Sequence, residues 1–313
     1  MTTNPKQRAG HFELIAEGLG FLEGPMAMND GSVIVTDMVS RCLTRVTADG
    51  KVSHVADVPG GANGAAIGPD GAVYIANNGG MDFVTGPDGG HESIGDHGTK
   101  GGAIDRVDLA SGKITRLYTE GDGRKLRAPN DLVFDRDGGI WFTDLGAIDS
   151  ERLDWGAIYY AKPDGSFITC AMQGRGLITP NGIGLSADEK TVYTAETLTG
   201  RVWALSIAAP GKLAQVNGMV ERRPLGQLPV FEALDSLAVD SEGWVCAGAL
   251  VAGGIACFHP DGRTAIVPAP VGGITNICFG GADMRDVWIT AGHSGQVYKG
   301  RWDCPGLKLN FYA

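Results

Sequence analysis

Six stretches of this 313-residue chain repeat one pattern, and each opens with a carboxylate or an amide. They read Glu23-GPMAMNDGSVIVTD, Asn63-GAAIGPDGAVYIAN, Asn130-DLVFDRDGGIWFTD, Asn181-GIGLSADEKTVYTAE, Asp235-SLAVDSEGWVCAG and Asn276-ICFGGADMRDVWITA. A polar residue leads an apolar strand, a turn with Asp or Gly follows in most copies, and a second strand rich in β-branched and aromatic residues ends the unit. A strand–turn–strand unit cannot bury its apolar face alone, so six copies point to a radial array. The fold expected is all-β: a six-bladed β-propeller with four antiparallel strands per blade. Further strand pairs between the repeats, such as CLTRVTADGKVSHVA and GIACFHPDGRTAIVPAP, supply the outer hairpins. No window shows helical periodicity.

Glycine, 49 of 313 residues, is about twice as frequent as usual. It recurs at turn spacing, where positive φ comes at little steric cost. The repeats run nearly end to end, so residues 1–313 are expected to form one domain, with 1–10 flexible. HFELIA (His11–Ala16) has the alternation of a strand that could pair with the C-terminal part of the chain, and the last segment, GRWDCPGLKLNFYA, is expected to complete the ring. The opening residues are spaced unevenly, by 40, 67, 51, 54 and 41 positions. The longest interval carries a Gly-rich insertion, 79–102, expected to act as a lid or pocket wall.

The formal charge is −10 and no basic run could track a phosphate backbone, which argues against a nucleic-acid partner. No apolar run reaches signal-peptide or membrane-span length, so no membrane association and a cytoplasmic location are expected. The six cysteines are dispersed without CxxC pairs and read as buried core thiols.

Related by rotation, Glu23, Asn63, Asn130, Asn181, Asp235 and Asn276 would form one ring around the central channel. One such residue can simply hydrogen-bond a turn; six in register are harder to explain that way. Two carboxylates converging in a channel repel unless a cation or a shared proton lies between them. Glu23 and Asp235 with the amide oxygens of Asn130 and Asn181 make an oxygen set suited to one hard divalent cation, with Asn63 and Asn276 in supporting contact. A second polar layer, Asp37, Asn77, Asp144 and Glu196, ends the second strands, and His293 lies near the same level in the sixth repeat. A dication on a channel floor polarises carbonyl or phosphoryl oxygens, and neighbouring carboxylates serve as base or nucleophile, so hydrolysis of a small electrophilic ester is the natural chemistry.

LEGP, PNDLVFD with GGIWFTD, PNGIGLSADEKTVYTAET and DSLAVDSEGWV resemble the family that contains senescence marker protein (regucalcin), gluconolactonase and diisopropyl fluorophosphatase. The resemblance covers about residues 11 to 303. It implies metal ligands at Glu23, Asn181 and Asp235, with Asn130 on metal or substrate. It also implies a six-bladed propeller and metal-dependent opening of a lactone, Asp235 serving as both ligand and base. Catalytic residues are then Asp235, Glu23 and His293; substrate contacts are Asn63, Asn130, Asn276 and His293. The cofactor expected is one divalent ion, calcium first, with zinc, manganese, magnesium and iron(II) as alternatives. The partner expected is a small lactone or ester; oligomeric state is left open. Two departures matter. Ala128 stands where sugar lactonases often have an arginine, which leaves room for a less polar lactone. Ala238 and Cys278 stand where the fluorophosphatase ligates a second calcium. Two other readings stay open: an organophosphate triesterase on the same metal site, and a non-catalytic metal- or protein-binding propeller.

Overall fold

The inner second strands explain the architecture best. VIVTD (Val33–Asp37), VYIAN (Val73–Asn77) and IWFTD (Ile140–Asp144) are buried along their whole length. A strand covered on both faces must lie between two other layers, and here those layers are the neighbouring blades. The computed structural model describes residues 11–174 and 176–312, so the expectation for 1–10 lies outside the described residues. No helix occurs among the described residues, and accordingly none is long and apolar enough to cross a membrane.

Six antiparallel sheets make six blades. Each blade begins with an innermost strand: Leu22–Ala27, Ala62–Ile67, Pro129–Phe134, Pro180–Leu185, Leu234–Val239 and Ile274–Gly280. These six strands pack side by side in a closed ring around the channel. Apolar clusters fill the gaps between blades. Between blades two and three, Tyr74 meets Phe134 edge-on at 5.1 Å, and within blade three Phe142 stacks on its cross-strand partner Tyr159 at 5.2 Å. Cys42, Cys246, Cys257 and Cys304 are buried and all six cysteines are free.

The sixth blade takes its outer strand from the other end of the chain. Glu13–Ala16 pairs with Gln296–Arg301, with Leu14 opposite Tyr298, so the first strand of the chain supplies the fourth strand of the last blade. The C-terminal segment departs from expectation. Only its first residues belong to the ring; the rest crosses the far mouth of the channel. Leu307 N–H donates to the Val239 carbonyl (2.9 Å), Asn310 Nδ2 to the Phe134 carbonyl (3.0 Å) and Gly281 N–H to Tyr312 Oη (3.2 Å). Pro305 and the turn before it remove the backbone continuity that a further strand needs. The channel is thereby covered at one end and approached from the other, the face on which the innermost strands begin.

The closure makes a testable demand. Phe12, 4% exposed, packs in the cluster of Trp244, Ile289 and Trp302. Phe12→Ala is expected to lower unfolding free energy by about 3 kcal/mol. Leu14→Ala, on a residue 45% exposed, should cost under about 1 kcal/mol. Urea denaturation of both variants checks the difference.

Candidate functional site: a ring of oxygen ligands in the channel

Each ring residue occupies an equivalent place. Glu23, Asn63, Asn130, Asn181 and Asp235 are the second residues of their innermost strands, and Asn276 is the third. At that point all six strands slip register against their neighbours. A bulge of this kind re-aims a side chain and frees it from the strand's alternation. Threonines of the second strands fix the ring from behind: Thr36 Oγ1 donates to the Asn63 carbonyl (2.8 Å) and Thr143 Oγ1 to the Asn181 carbonyl (2.5 Å). Close approach of the strands demands glycine after several ring positions. A Cβ on Gly24, whose φ is +47°, would lie 2.7 Å from the Asn63 carbonyl oxygen. One on Gly182 would lie 2.8 Å from the Asp235 carbonyl oxygen.

The third blade breaks this glycine rule with Asp131, a carboxylate that motif reading passed over. Its Oδ1 accepts from Leu132 N–H (2.9 Å) and its Oδ2 from Ile183 N–H (3.2 Å), which spans blades three and four. The signal was available: Asp131 holds the place that Gly24, Gly64 and Gly182 hold in their copies. Three carboxyl groups therefore share the channel, each 7% exposed or less. Burial raises all three. Asp235 and Asp131 are each pushed up to about 7, Asp235 further by the charge of Asp131. Glu23 is driven well above the usual range by burial and then by the charges of Asp235 and Asp131. Partial relief comes from hydrogen bonds. Glu23 Oε2 accepts from Gly24 N–H (3.0 Å) and Asn276 Nδ2 (2.9 Å).

These residues suit a cation. Among the described residues, three buried side-chain polar atoms lack a partner, and two are ring oxygens, Asn63 Oδ1 and Asn130 Oδ1. A buried carbonyl oxygen without a donor carries a desolvation cost that a cation would relieve. Asn181 is steered by its neighbours, its Nδ2 donating to Thr197 Oγ1 (3.1 Å) while Ser236 Oγ lies 3.4 Å from its Oδ1. Among the described residues no three His, Cys, Asp or Glu side chains cluster as a metal centre, so a cation in the ring must take amide oxygens as well. Such a donor set favours calcium, magnesium or manganese over zinc. Below the ring the channel turns apolar, with Ala238, Ile277 and Cys278 in its lining and burial pushing the Cys278 thiol up to about 12.

The second polar layer has a different job. Asp37 accepts from Gly20 N–H (2.9 Å), Asn77 from Gly61 N–H (2.9 Å), Asp144 from Arg127 and Ala128 N–H (2.7 and 2.9 Å) and Glu196 from Ile178 N–H (2.7 Å). Each ties the loop entering a blade to the end of that blade's second strand, fixing the mouth. The insertion at 79–102 holds a hairpin, Asp82–Thr85 with His91–Ile94. It leaves blade two, sets Phe83 on Phe21 of blade one (5.3 Å), and reaches His293 of blade six. Asp88 Oδ2 lies 3.0 Å from His293 Nε2 and holds the imidazole above its ordinary pKa. His91 N–H also donates to the His293 carbonyl (2.7 Å). The structure thus pairs Glu23 with Asn276 and Asp235 with Asn181, sets the two carboxyls close enough to repel, leaves Asn63 and Asn130 with free oxygens, and engages His293 with the hairpin at the mouth.

The raised carboxyl groups fix a pH dependence. A carboxyl whose folded pKa exceeds its unfolded value favours the folded state most fully below the unfolded value, 3.8 for Asp235, and loses that contribution as pH rises through about 7. Chelator-treated protein should therefore lose thermal stability between pH 5 and pH 8. Asp235→Asn should flatten that decline, and melting curves across the pH range read both effects.

A family model described as the SMP-30/gluconolactonase/LRE-like region matches residues 21–293. A gluconolactonase of Zymomonas mobilis is 26% identical, covering 90% of this chain and 79% of that protein. The lactonase drp35 of Staphylococcus aureus is 28% identical, covering 74% of this chain and 63% of its own length. In three dimensions the chain is similar to a gluconolactonase of Xanthomonas campestris, with TM-score 0.71, 24% identity and 94% of each chain covered. It is also similar to regucalcin of Agrobacterium tumefaciens, a calcium-binding protein, with TM-score 0.68, 17% identity and 96% and 95% covered. With a family model matched over most of its length, the chain belongs to the SMP-30/gluconolactonase/LRE-like family.

Proposed function

We propose that this protein hydrolyses a lactone to its hydroxy acid, using one divalent cation held by Glu23, Asn130, Asn181 and Asp235. The observation that carries the reading is the ring itself: three buried carboxyls with raised pKa beside amide oxygens that have no donor. The names of the relatives, gluconolactonase and lactonase, support the same chemistry.

A cation bound there supplies positive charge that polarises the lactone carbonyl and favours the oxyanion of the transition state. The chain's own groups do the rest. Asp235 takes a proton from the attacking water as its oxygen bonds to the carbonyl carbon. The ring C–O bond then breaks, and the proton passes from Asp235 to the departing alkoxide, leaving a hydroxy acid. Asn276, with Nδ2 on Glu23 and Oδ1 on Ile277 N–H (2.7 Å), is assigned the orientation of Glu23. Asp131, anchored to two main-chain donors, raises the proton affinity of Asp235 when it is ionised. Asn63 and Asn130 contact the substrate, and His293, steadied by Asp88, meets it at the mouth under the hairpin. Calcium is the cation proposed first, on the all-oxygen donor set.

Lactone hydrolysis by chelator-stripped protein, with calcium, magnesium, manganese, zinc and iron(II) returned singly, tests the proposal. Turnover should vanish on stripping and return with one or more of these ions. Asp235→Asn and Glu23→Gln should each lower kcat/KM by at least about 100-fold. Full activity in either variant, or in the stripped protein, contradicts it.

A further inference from the structure

Three loops beside the ring carry large apolar side chains into solvent. Leu198 is 50% exposed, and Val230, Phe231 and Val251 are each 62% exposed. They come from different blades yet form one patch. Glu232, 1% exposed, accepts from Val251 N–H (2.7 Å) and Ala252 N–H (2.8 Å), which locks the 230–232 segment to the 251–252 turn. Gly200 approaches from the other side: a Cβ there would lie 2.5 Å from the Glu232 carbonyl oxygen.

The patch is continuous with the ring. Asn181 Nδ2 donates to Thr197 Oγ1 (3.1 Å), and Leu198, the next residue, donates its N–H to Thr179 Oγ1 (3.0 Å). Phe231 lies four positions before Asp235. Leu198 and Phe231 are therefore carried by the same short segments that place two of the proposed cation ligands.

Polar groups in this sector are already committed. Glu232 is the one charged residue in the 228–233 loop, and the 197–200 and 250–253 turns have none. Thr197 faces Asn181, and Thr199 Oγ1 donates to Glu196 Oε2 (2.6 Å). A polyhydroxylated ring would find few free partners here, and Ala128 offers it none from the third blade. Exposed apolar side chains grouped at the mouth of a site mark a place where apolar surface is covered on binding.

We propose that this sector receives an alkyl or aryl substituent on the lactone ring, so that apolar lactones are the substrate class. This rests on the lactonase reading above. The substituent lies across Leu198, Phe231 and Val251 while the carbonyl reaches the ring beneath.

Kinetics of the cation-loaded full chain on δ-valerolactone, δ-decalactone and D-glucono-δ-lactone test it. The pentyl-bearing δ-decalactone should exceed δ-valerolactone in kcat/KM by about 10-fold or more. The double variant Phe231→Ser/Val251→Ser should lose about 10-fold on δ-decalactone, through KM, and stay unchanged on δ-valerolactone. Equal losses on both lactones, or a preference for D-glucono-δ-lactone, would overturn the proposal. Calorimetric binding of 2-pentylcyclopentanone, which has no ester bond to cleave, separates the two readings. Binding that weakens in the double variant upholds the apolar sector even where no lactone turns over, in which case the lactonase reading alone falls. No binding, or a double variant altered only in self-association or in cosedimentation with phosphatidylcholine vesicles, assigns the patch elsewhere and overturns it.

Discussion

Like charges held together away from water are the constraint on which the rest of this structure depends. Glu23, Asp131 and Asp235 sit in one channel, nearly inaccessible; Asp131 raises the proton affinity of Asp235, and both raise that of Glu23. Charged carboxylates in such a place cost far more than surface ones, so they must hold protons or meet positive charge. The propeller makes the convergence possible. Six innermost strands bring their second or third residues to one level around the channel, and the register slips there in every copy. Hydrogen bonds from Asn276, Gly24, Leu132 and Ile183 keep the carboxyls in fixed orientations. A site organised in this way offers preformed electrostatics to a cation and to an ester carbonyl arriving from the open mouth.

Much of this was legible in the sequence because the fold is periodic. Once six copies align, Glu23, Asn63, Asn130, Asn181, Asp235 and Asn276 fall into one ring without any knowledge of coordinates, and the burial of VIVTD and IWFTD follows from their composition. Asp131 was less visible, since an Asp inside PNDLVFD reads as part of a strand until the glycines at equivalent places are compared. The role of Asp37, Asn77, Asp144 and Glu196 was not legible at all. A carboxylate or amide at a strand end looks the same whether it binds a ligand or, as here, main-chain amides of the loop entering its own blade. Contacts across the mouth were equally hidden: Asp88 and His293 are separated by 205 positions, and no local pattern joins them. The tail was legible only in part. HFELIA was expected to pair with the C-terminal part of the chain, and Glu13–Ala16 does pair with Gln296–Arg301, but the rest of GRWDCPGLKLNFYA crosses the far mouth instead of completing the ring.

The two sides of the entrance differ in chemistry. On one side the hairpin of 82–94 leans from blade two over blade one onto His293, held by one carboxylate–imidazole contact, main-chain bonds and an aromatic pair. On the other, buried Glu232 ties the loop entering blade five to that blade's 251–252 turn, the blade-four turn at Gly200 approaches closely, and these loops present apolar side chains outward. The ring is thus flanked by a hairpin engaged with His293 on one side and by exposed apolar side chains on the other. Family membership says nothing about that asymmetry; it belongs to the loops of this chain, and loops are where substrate preference is set on a shared scaffold.

Anomalous diffraction from crystals soaked in manganese tests the central claim most directly, because it locates the ion without reference to turnover. The account predicts a single strong peak bounded by oxygens of Glu23, Asn130, Asn181 and Asp235, absent from crystals of Glu23→Gln. No peak in the channel, or one unaffected by that substitution, would contradict it.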